Sequence, residues 1–217
     1  MELDASELGT KEYWENSYTR EIQNYKNNGD VGEIWFDEGS QQRIVDWILK
    51  QEAVDKQSAR VIDLGCGNGM FLIALANEQF TQLTGVDYSP KAIKFATCIA
   101  KDQSLDIKYD VADLTQSEPP SLGTYHIVHD KGTYDAVSLS ENPKEMRTNY
   151  LKTVVQLLHD ENSLFIITSC NWTRDELLVS FEEFFTEHCT IPTPTFKFGG
   201  KVGTVVTSMV FKKRPTN

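Results

Sequence analysis

Four short groups of residues carry recognisable chemistry. The first is Asp63-Leu64-Gly65-Cys66-Gly67-Asn68-Gly69, in which an acid precedes three glycines at alternate positions. Glycines at that spacing let the backbone turn sharply and let a ligand approach it without meeting a side chain. A dinucleotide fingerprint would put its third glycine at position 70, but Met70 stands there and Gly69 comes one place early. A glycine turn is also a plain strand-to-helix connection, so this group alone leaves the ligand open. The second group is Asp87, which ends Leu83-Thr84-Gly85-Val86 roughly twenty residues beyond the turn. A carboxylate there can accept from both hydroxyls of a ribose; its other role would be to cap the next helix, which Ser89 can do instead. The third group is Asp110-Val111-Ala112-Asp113-Leu114, and the fourth is the charged cluster His129-Asp130-Lys131-Gly132-Thr133-Tyr134-Asp135-Ala136.

Secondary-structure elements must bring these groups together. Arg60–Leu64 reads as a strand, Phe71–Ala76 as a helix, Leu83–Val86 as a strand, and Ser89-Pro90 as the start of a helix holding Ile93, Ala96 and Ile99. This β-α-β-α order predicts an α/β fold with a Rossmann-like, doubly wound, mostly parallel sheet, whose ligands bind beyond the carboxyl ends of the strands. Ile107–Val111, Tyr125–Val128 and Ser163–Thr168 add strands, and Lys144–Leu158 adds a helix with Leu151, Val154, Val155 and Leu158 on one stripe. Thr173 and Glu176 form a capping box opening a helix that carries Leu177, Leu178, Phe181 and Phe184. Thr195–Phe198 and Val205–Phe211, joined through Gly199-Gly200 and Gly203, predict a C-terminal antiparallel hairpin. Ahead of the sheet, Lys11–Lys26 and Gln41–Gln51 read as helices. Residues 1–55 are thus expected to form an N-terminal helical cap on a domain spanning 56–217, the whole being one structural unit.

Bulk properties narrow the partners. A chain of 217 residues with 40% hydrophobic residues has material for one α/β domain but hardly for two. A net charge of −11 repels phosphate backbones and favours cationic partners, so nucleic acid is not an expected partner. Cys66, Cys98, Cys170 and Cys189 lie far apart with no C-x-x-C pair, which predicts thiols in a reducing compartment and no metal. His126 and His129 do not form a metal pair, because residues three apart on a strand face opposite ways. With no signal-like start and no membrane-length apolar run, the expected protein is cytoplasmic, free of membrane, and needs to be no more than a monomer.

Taken together, Asp63, the glycine turn, Asp87 and Asp113 make the chain resemble the class I S-adenosylmethionine (SAM)-dependent methyltransferases, which have a seven-stranded sheet. That resemblance implies SAM as cofactor. Gly65, Cys66, Gly67, Asn68 and Gly69 would lie at its methionine end, with Asp63 facing inward to brace the turn or meet the cofactor ammonium, Asp87 and Tyr88 at the ribose, Ala112, Asp113 and Leu114 at the adenine, and Trp35 as a further cofactor-binding residue. The prolines that base-directed amino methylases carry after the fourth strand are absent. With Gly32-Glu33-Ile34-Trp35-Phe36 and Ser169-Cys170-Asn171-Trp172-Thr173 added, the chain resembles the elongation factor 1-alpha lysine methyltransferase 2 family from about Leu8 to about Phe211.

A protein-lysine N-methyltransferase acting on elongation factor 1-alpha is the implied function. Asp130 is the expected catalytic residue, attracting and orienting the acceptor ammonium, with Trp35, Phe36, Tyr134, Asn171 and Trp172 as acceptor-side residues; the other reading of Asp130 is a strand-terminal acid bonded to backbone amides or paired with Lys131. Trp14, Tyr18, Trp35 and Phe36 fit equally well as packing between an N-terminal helix and the sheet, and Lys131 is expected to be a solvated or paired charge. Two other readings share the same motifs: a methyltransferase for a small molecule, and a SAM-binding interaction domain without catalysis.

Overall fold

A computed structural model describes residues 3–198 and 201–215. The chain enters through a 3-10 turn, Glu7–Gly9, and helix α1, Lys11–Asn28. The Thr10 hydroxyl starts α1 by accepting from the Tyr13 N–H, and Gly29, in the left-handed conformation, ends it. Helix α2, Asp37–Leu49, buries Ile44, Val45 and Ile48.

The alternating part follows, with β1 (Arg60–Leu64), α3 (Met70–Asn77), β2 (Gln82–Asp87), α4 (Pro90–Asp102), β3 (Lys108–Val111), β4 (Ile127–Lys131), α5 (Thr133–Ser138), α6 (Pro143–Leu157), β5 (Leu164–Ser169) and α7 (Arg174–Phe181). It closes with β6 (Phe185–Ile191), β7 (Thr195–Phe198), β8 (Lys201–Thr204) and β9 (Thr207–Lys213).

Seven strands form one sheet in the order β3-β2-β1-β4-β5-β9-β6. Neighbours from β3 to β5 run parallel, and β9 is antiparallel to both β5 and β6. The central strands are buried on both faces, so residues 61–64 of β1 and 164–169 of β5 are buried consecutively rather than at alternate positions. Val128, Phe165 and Ile167 pack with Leu151, Val154 and Phe181 on one face. Val61, Ile127 and Ile166 pack with Ile44, Ile48, Phe71 and Leu75 on the other. Helix α1 lies over α4 through Tyr18, Ile22 and Tyr25 against Phe95 and Ile99. Because the chain leaves β1 toward β2 and returns to β4 on its other side, the switch point and its crevice fall at the carboxyl ends of β1 and β4.

Four expectations change. The hairpin that closes the sheet is β6 with β9, whereas β7 pairs with β8 in a separate two-stranded ribbon, and the expected Gly199-Gly200 link lies outside the described residues. Strand β6 escaped notice because only its ends, Phe185 and Ile191, are fully buried, and Thr186 to Thr190 carry no apolar alternation. Helix α7 ends at Phe181, so Phe184 lies beyond it. Strand β4 runs on to Lys131, past the expected end at Val128, and is followed at once by α5, so the charged cluster is strand end and helix start.

Candidate cofactor and acceptor site

Beyond β1 the backbone turns through Gly65, Gly67 and Gly69, all with positive φ (65°, 53° and 76°), a region that side-chain-bearing residues avoid. Space demands glycine as well, since a Cβ on Gly65 would collide with the Thr133 side chain and one on Gly67 would come within 2.8 Å of the Tyr18 hydroxyl. Asp87 sits beside this turn. Its Oδ2 accepts from the Gly67 N–H at 3.1 Å and its Oδ1 from the Ser89 N–H at 2.9 Å. Burial pushes its pKa up to about 6 despite those two amide bonds, with the charges of Asp63 and Glu15 acting in the same upward direction. The Ser89 hydroxyl caps α4 by accepting from the Ala92 N–H, so Asp87 is not needed as the cap. Each Asp87 oxygen retains a lone pair for a further donor.

A single cavity follows the sheet edge. It is lined by Ala112, Asp113 and Leu114 after β3, Asp87 and Tyr88 after β2, Gly65 to Asn68 after β1, and Lys131 to Thr133 at the end of β4. Trp14, Tyr18 and Glu21 of α1 and Glu33 and Trp35 of the following segment close it from one side, and Val137, Met146 and Tyr150 from the other. The segment is tied down at two points. The Asn68 amide donates to the carbonyls of Val31 at 3.0 Å and Glu33 at 3.1 Å, and the Lys131 ammonium donates to the Trp35 carbonyl at 2.9 Å. This donor set suits an adenosyl cofactor with an amino-acid end: a carboxylate for a ribose, open backbone at the glycines, and aromatic walls for the rest.

Several expected site residues lie elsewhere. Asp63 is under the turn, its Oδ1 2.7 Å from Nδ1 of His129, and neither it nor Gly69 lines the cavity. Asp130 is fully buried and does not meet the cavity, contrary to its expected role as the acid facing the acceptor. Its Oδ1 accepts from the Thr133 N–H at 2.9 Å, and its Oδ2 from the Tyr134 N–H at 3.0 Å and from the Tyr150 hydroxyl. Burial holds its pKa at about 7 even against these three donors. Strand alternation is the reason: β4 extends to Lys131, so Lys131 shares a face with His129 while Asp130 points the other way, toward α6.

Tyr134 is buried among Tyr150, Trp172 and Phe181, and the Arg147 guanidinium lies 5.4 Å from the centre of the Trp172 ring. Asn171 is exposed, and Phe36 packs near Gly132, so none of these expected acceptor-side residues lines the cavity except Trp35. Lys131 is the reverse case. It is a cavity residue bonded to the Trp35 carbonyl, where a solvated or paired charge was expected, and burial lowers its pKa. Glu21 and Tyr150 were missed altogether, and Tyr18 and Thr133 were named without a cavity role. Nothing in the spacing of Gly132-Thr133-Tyr134-Asp135 marked α5, whose N-cap Gly132 offers no capping side chain.

Comparison with known proteins settles the family. Residues 55–205 match the family model described as a methyltransferase domain. The chain is 43% identical over 209 residues to EEF1A lysine methyltransferase 2 of Danio rerio, covering 96% of this chain and 88% of that protein. The chain belongs to the EEF1A lysine methyltransferase 2 family. Protein-lysine N-methyltransferase efm4 of Schizosaccharomyces pombe is 37% identical over 232 residues, covering 99% and 97% of the two chains. Among solved structures, N-methyltransferase NodS of Bradyrhizobium japonicum, in complex with S-adenosyl-L-homocysteine, has a TM-score of 0.66 at 16% identity, over 92% of this chain and all of that one, and so shares the fold. As a class I member of the EEF1A lysine methyltransferase 2 family, the protein is a SAM-dependent enzyme. No helix among the described residues is long and apolar enough to cross a membrane.

Proposed function

We propose that this protein transfers a methyl group from SAM to the ε-amino group of a lysine in elongation factor 1-alpha, acting as a monomer in the cytoplasm. The observation that carries the reading is one continuous cavity across the ends of β3, β2, β1 and β4, in a chain that aligns over nearly its whole length with relatives named as EEF1A lysine methyltransferases. Along that edge, Ala112, Asp113 and Leu114 would hold the adenine, Asp87 and Tyr88 the ribose, and the backbone from Gly65 to Asn68 the methionine end. The acceptor side is then the remaining part, at Lys131 to Thr133 and Trp35.

SAM supplies a methyl group already activated by its sulfonium, so the chain's contribution is alignment, exclusion of water and management of one proton. Trp14, Tyr18 and Trp35 wall off the cavity from solvent, with Trp14 5.0 Å from Trp35 between ring centres. A lysine arrives protonated, with an ordinary pKa of about 10.4, and apolar walls favour its neutral form. Asp130 supports this arrangement indirectly, by holding the first turn of α5 and Tyr150. The net charge of −11 favours encounter with a basic surface.

The test is mass spectrometry of elongation factor 1-alpha from cells with and without the protein, followed by methylation of the purified factor. One lysine losing its methyl groups in the deficient cells and regaining them in vitro is the expected result. Unchanged methylation at every lysine of the factor would overturn the proposal.

A further inference from the structure

The cavity's acceptor end holds a cation where a second cation must arrive. Lys131 reaches this position because it is the last residue of β4, on the strand face opposite Asp130, and its ammonium is anchored 2.9 Å from the Trp35 carbonyl. That partner is neutral, and among the described residues Lys131 forms no ion pair. We infer that Lys131 is a positioning residue for methyl transfer, which fixes the Trp35 wall and, through its charge, biases the incoming lysine toward its neutral amine. The inference rests on the proposed reading of the cavity, in which β4 is the acceptor end.

The carboxylates whose charges reach Lys131 are engaged elsewhere. Asp63 on β1 pairs with His129, Asp130 on β4 accepts from Thr133, Tyr134 and Tyr150, and Asp37 at the start of α2 accepts from the Ser40 N–H at 2.6 Å. Their charges favour the protonated form of Lys131, while burial opposes it. Glu21 and Glu33 line the same cavity from α1 and the segment after it. They also favour an incoming cation, so the effect of Lys131 is to be measured against them. Burial raises the pKa of Glu21, and the Glu33 N–H donates to its carboxylate.

The proton balance is simple. The acceptor ammonium releases a proton to solvent, and the amine lone pair then forms the N–C bond as the S–C bond breaks, leaving that pair on sulfur. The methylated ammonium later sheds its own extra proton to solvent. A unit charge about 6 Å from the acceptor nitrogen, at an effective dielectric constant of about 20, lowers the acceptor pKa by about two units.

The experiment compares Lys131→Met and Lys131→Arg with the unaltered protein, with Lys131→Gln as a second neutral variant should Met not fold. It records kcat against pH on purified elongation factor 1-alpha, affinity for S-adenosylhomocysteine, and binding of the unmethylated factor in its presence. In the neutral variants the alkaline-going limb of kcat should move up by about one to two pH units. Binding of the factor at pH 7 should tighten about ten- to hundredfold, with S-adenosylhomocysteine affinity unchanged. Lys131→Arg should keep the limb where it is.

A limb that stays in place while kcat falls would overturn the inference and leave Lys131 a purely structural anchor, as would loss of S-adenosylhomocysteine affinity in the neutral variants without movement of the limb. Failure of the unaltered protein to bind or methylate the factor would overturn the substrate reading, and the inference with it. Unchanged S-adenosylhomocysteine affinity in Asp87→Asn would be the separate sign that the cavity reading is wrong.

Discussion

Asp87→Asn should weaken SAM binding and remove its dependence on pH. In the proposed complex the Asp87 carboxylate accepts from the ribose hydroxyls while retaining the Gly67 and Ser89 amides. An amide side chain offers one acceptor oxygen and turns an NH2 group toward donors, so one or two charge-assisted hydrogen bonds are lost. That loss costs about 2–3 kcal/mol, or about 30- to 150-fold in Kd. Burial sets the free carboxyl at a pKa of about 6, and the ribose binds the ionised form. Protons therefore compete with the ligand below about pH 6, and Kd should rise there by up to about tenfold per pH unit, while staying flat above about pH 7.

The same shift acts on stability with its own sign. The free protein's Asp87 holds its proton more tightly folded than unfolded, so its contribution is complete below about pH 4 and is lost as pH rises through 6, a swing of about 3 kcal/mol. Titration calorimetry with S-adenosylhomocysteine from pH 5 to 8, in two buffers of different ionisation enthalpy, measures affinity and proton release together. Equal Kd values at pH 5 and 7 in the unaltered protein, with no proton release, would refute the reasoning.

Three further outcomes follow from the site. Gly65→Ala forces a Cβ into Thr133 at a φ of 65°, and should cost about 2 kcal/mol or more in denaturant unfolding together with measurable SAM affinity; unchanged stability would mean that the turn relaxes freely. Asp130→Ala strips the acceptor from two amides and the Tyr150 hydroxyl, and should destabilise the fold by about 3 kcal/mol while lowering SAM affinity and turnover together. Full stability with only turnover lost would return Asp130 to direct contact with the acceptor. Asn68→Ala frees the Val31 and Glu33 carbonyls, and should speed proteolytic cleavage between residues 29 and 36 by about tenfold, an effect that bound S-adenosylhomocysteine should reduce. Equal cleavage rates would show that Asn68 does not restrain the segment.

The glycine turn and Asp87 were legible in the chain because each depends on spacing within a single strand-turn unit, whereas Asp113 was singled out by family resemblance. Three glycines at alternate positions and an acid at the next strand's end are local requirements of backbone conformation and hydrogen bonding. The parallel core was legible for the same reason, since doubly buried strands must be short apolar runs alternating with amphipathic helices. Four things were decided only in three dimensions: which C-terminal strands pair, which N-terminal aromatics reach the cavity, where β4 ends, and which way Asp130 and Lys131 face. Pairing of β6 with β9 spans a ribbon whose apolar pattern resembles that of a sheet strand, and Trp14 and Tyr18 reach the glycine turn only because α1 packs on α4. Two adjacent charges on a strand necessarily point to opposite faces, but local spacing does not say which face holds the ligand. Packing decides that here, since Tyr150 of α6 receives Asp130 on one side and the segment at Trp35 receives Lys131 on the other.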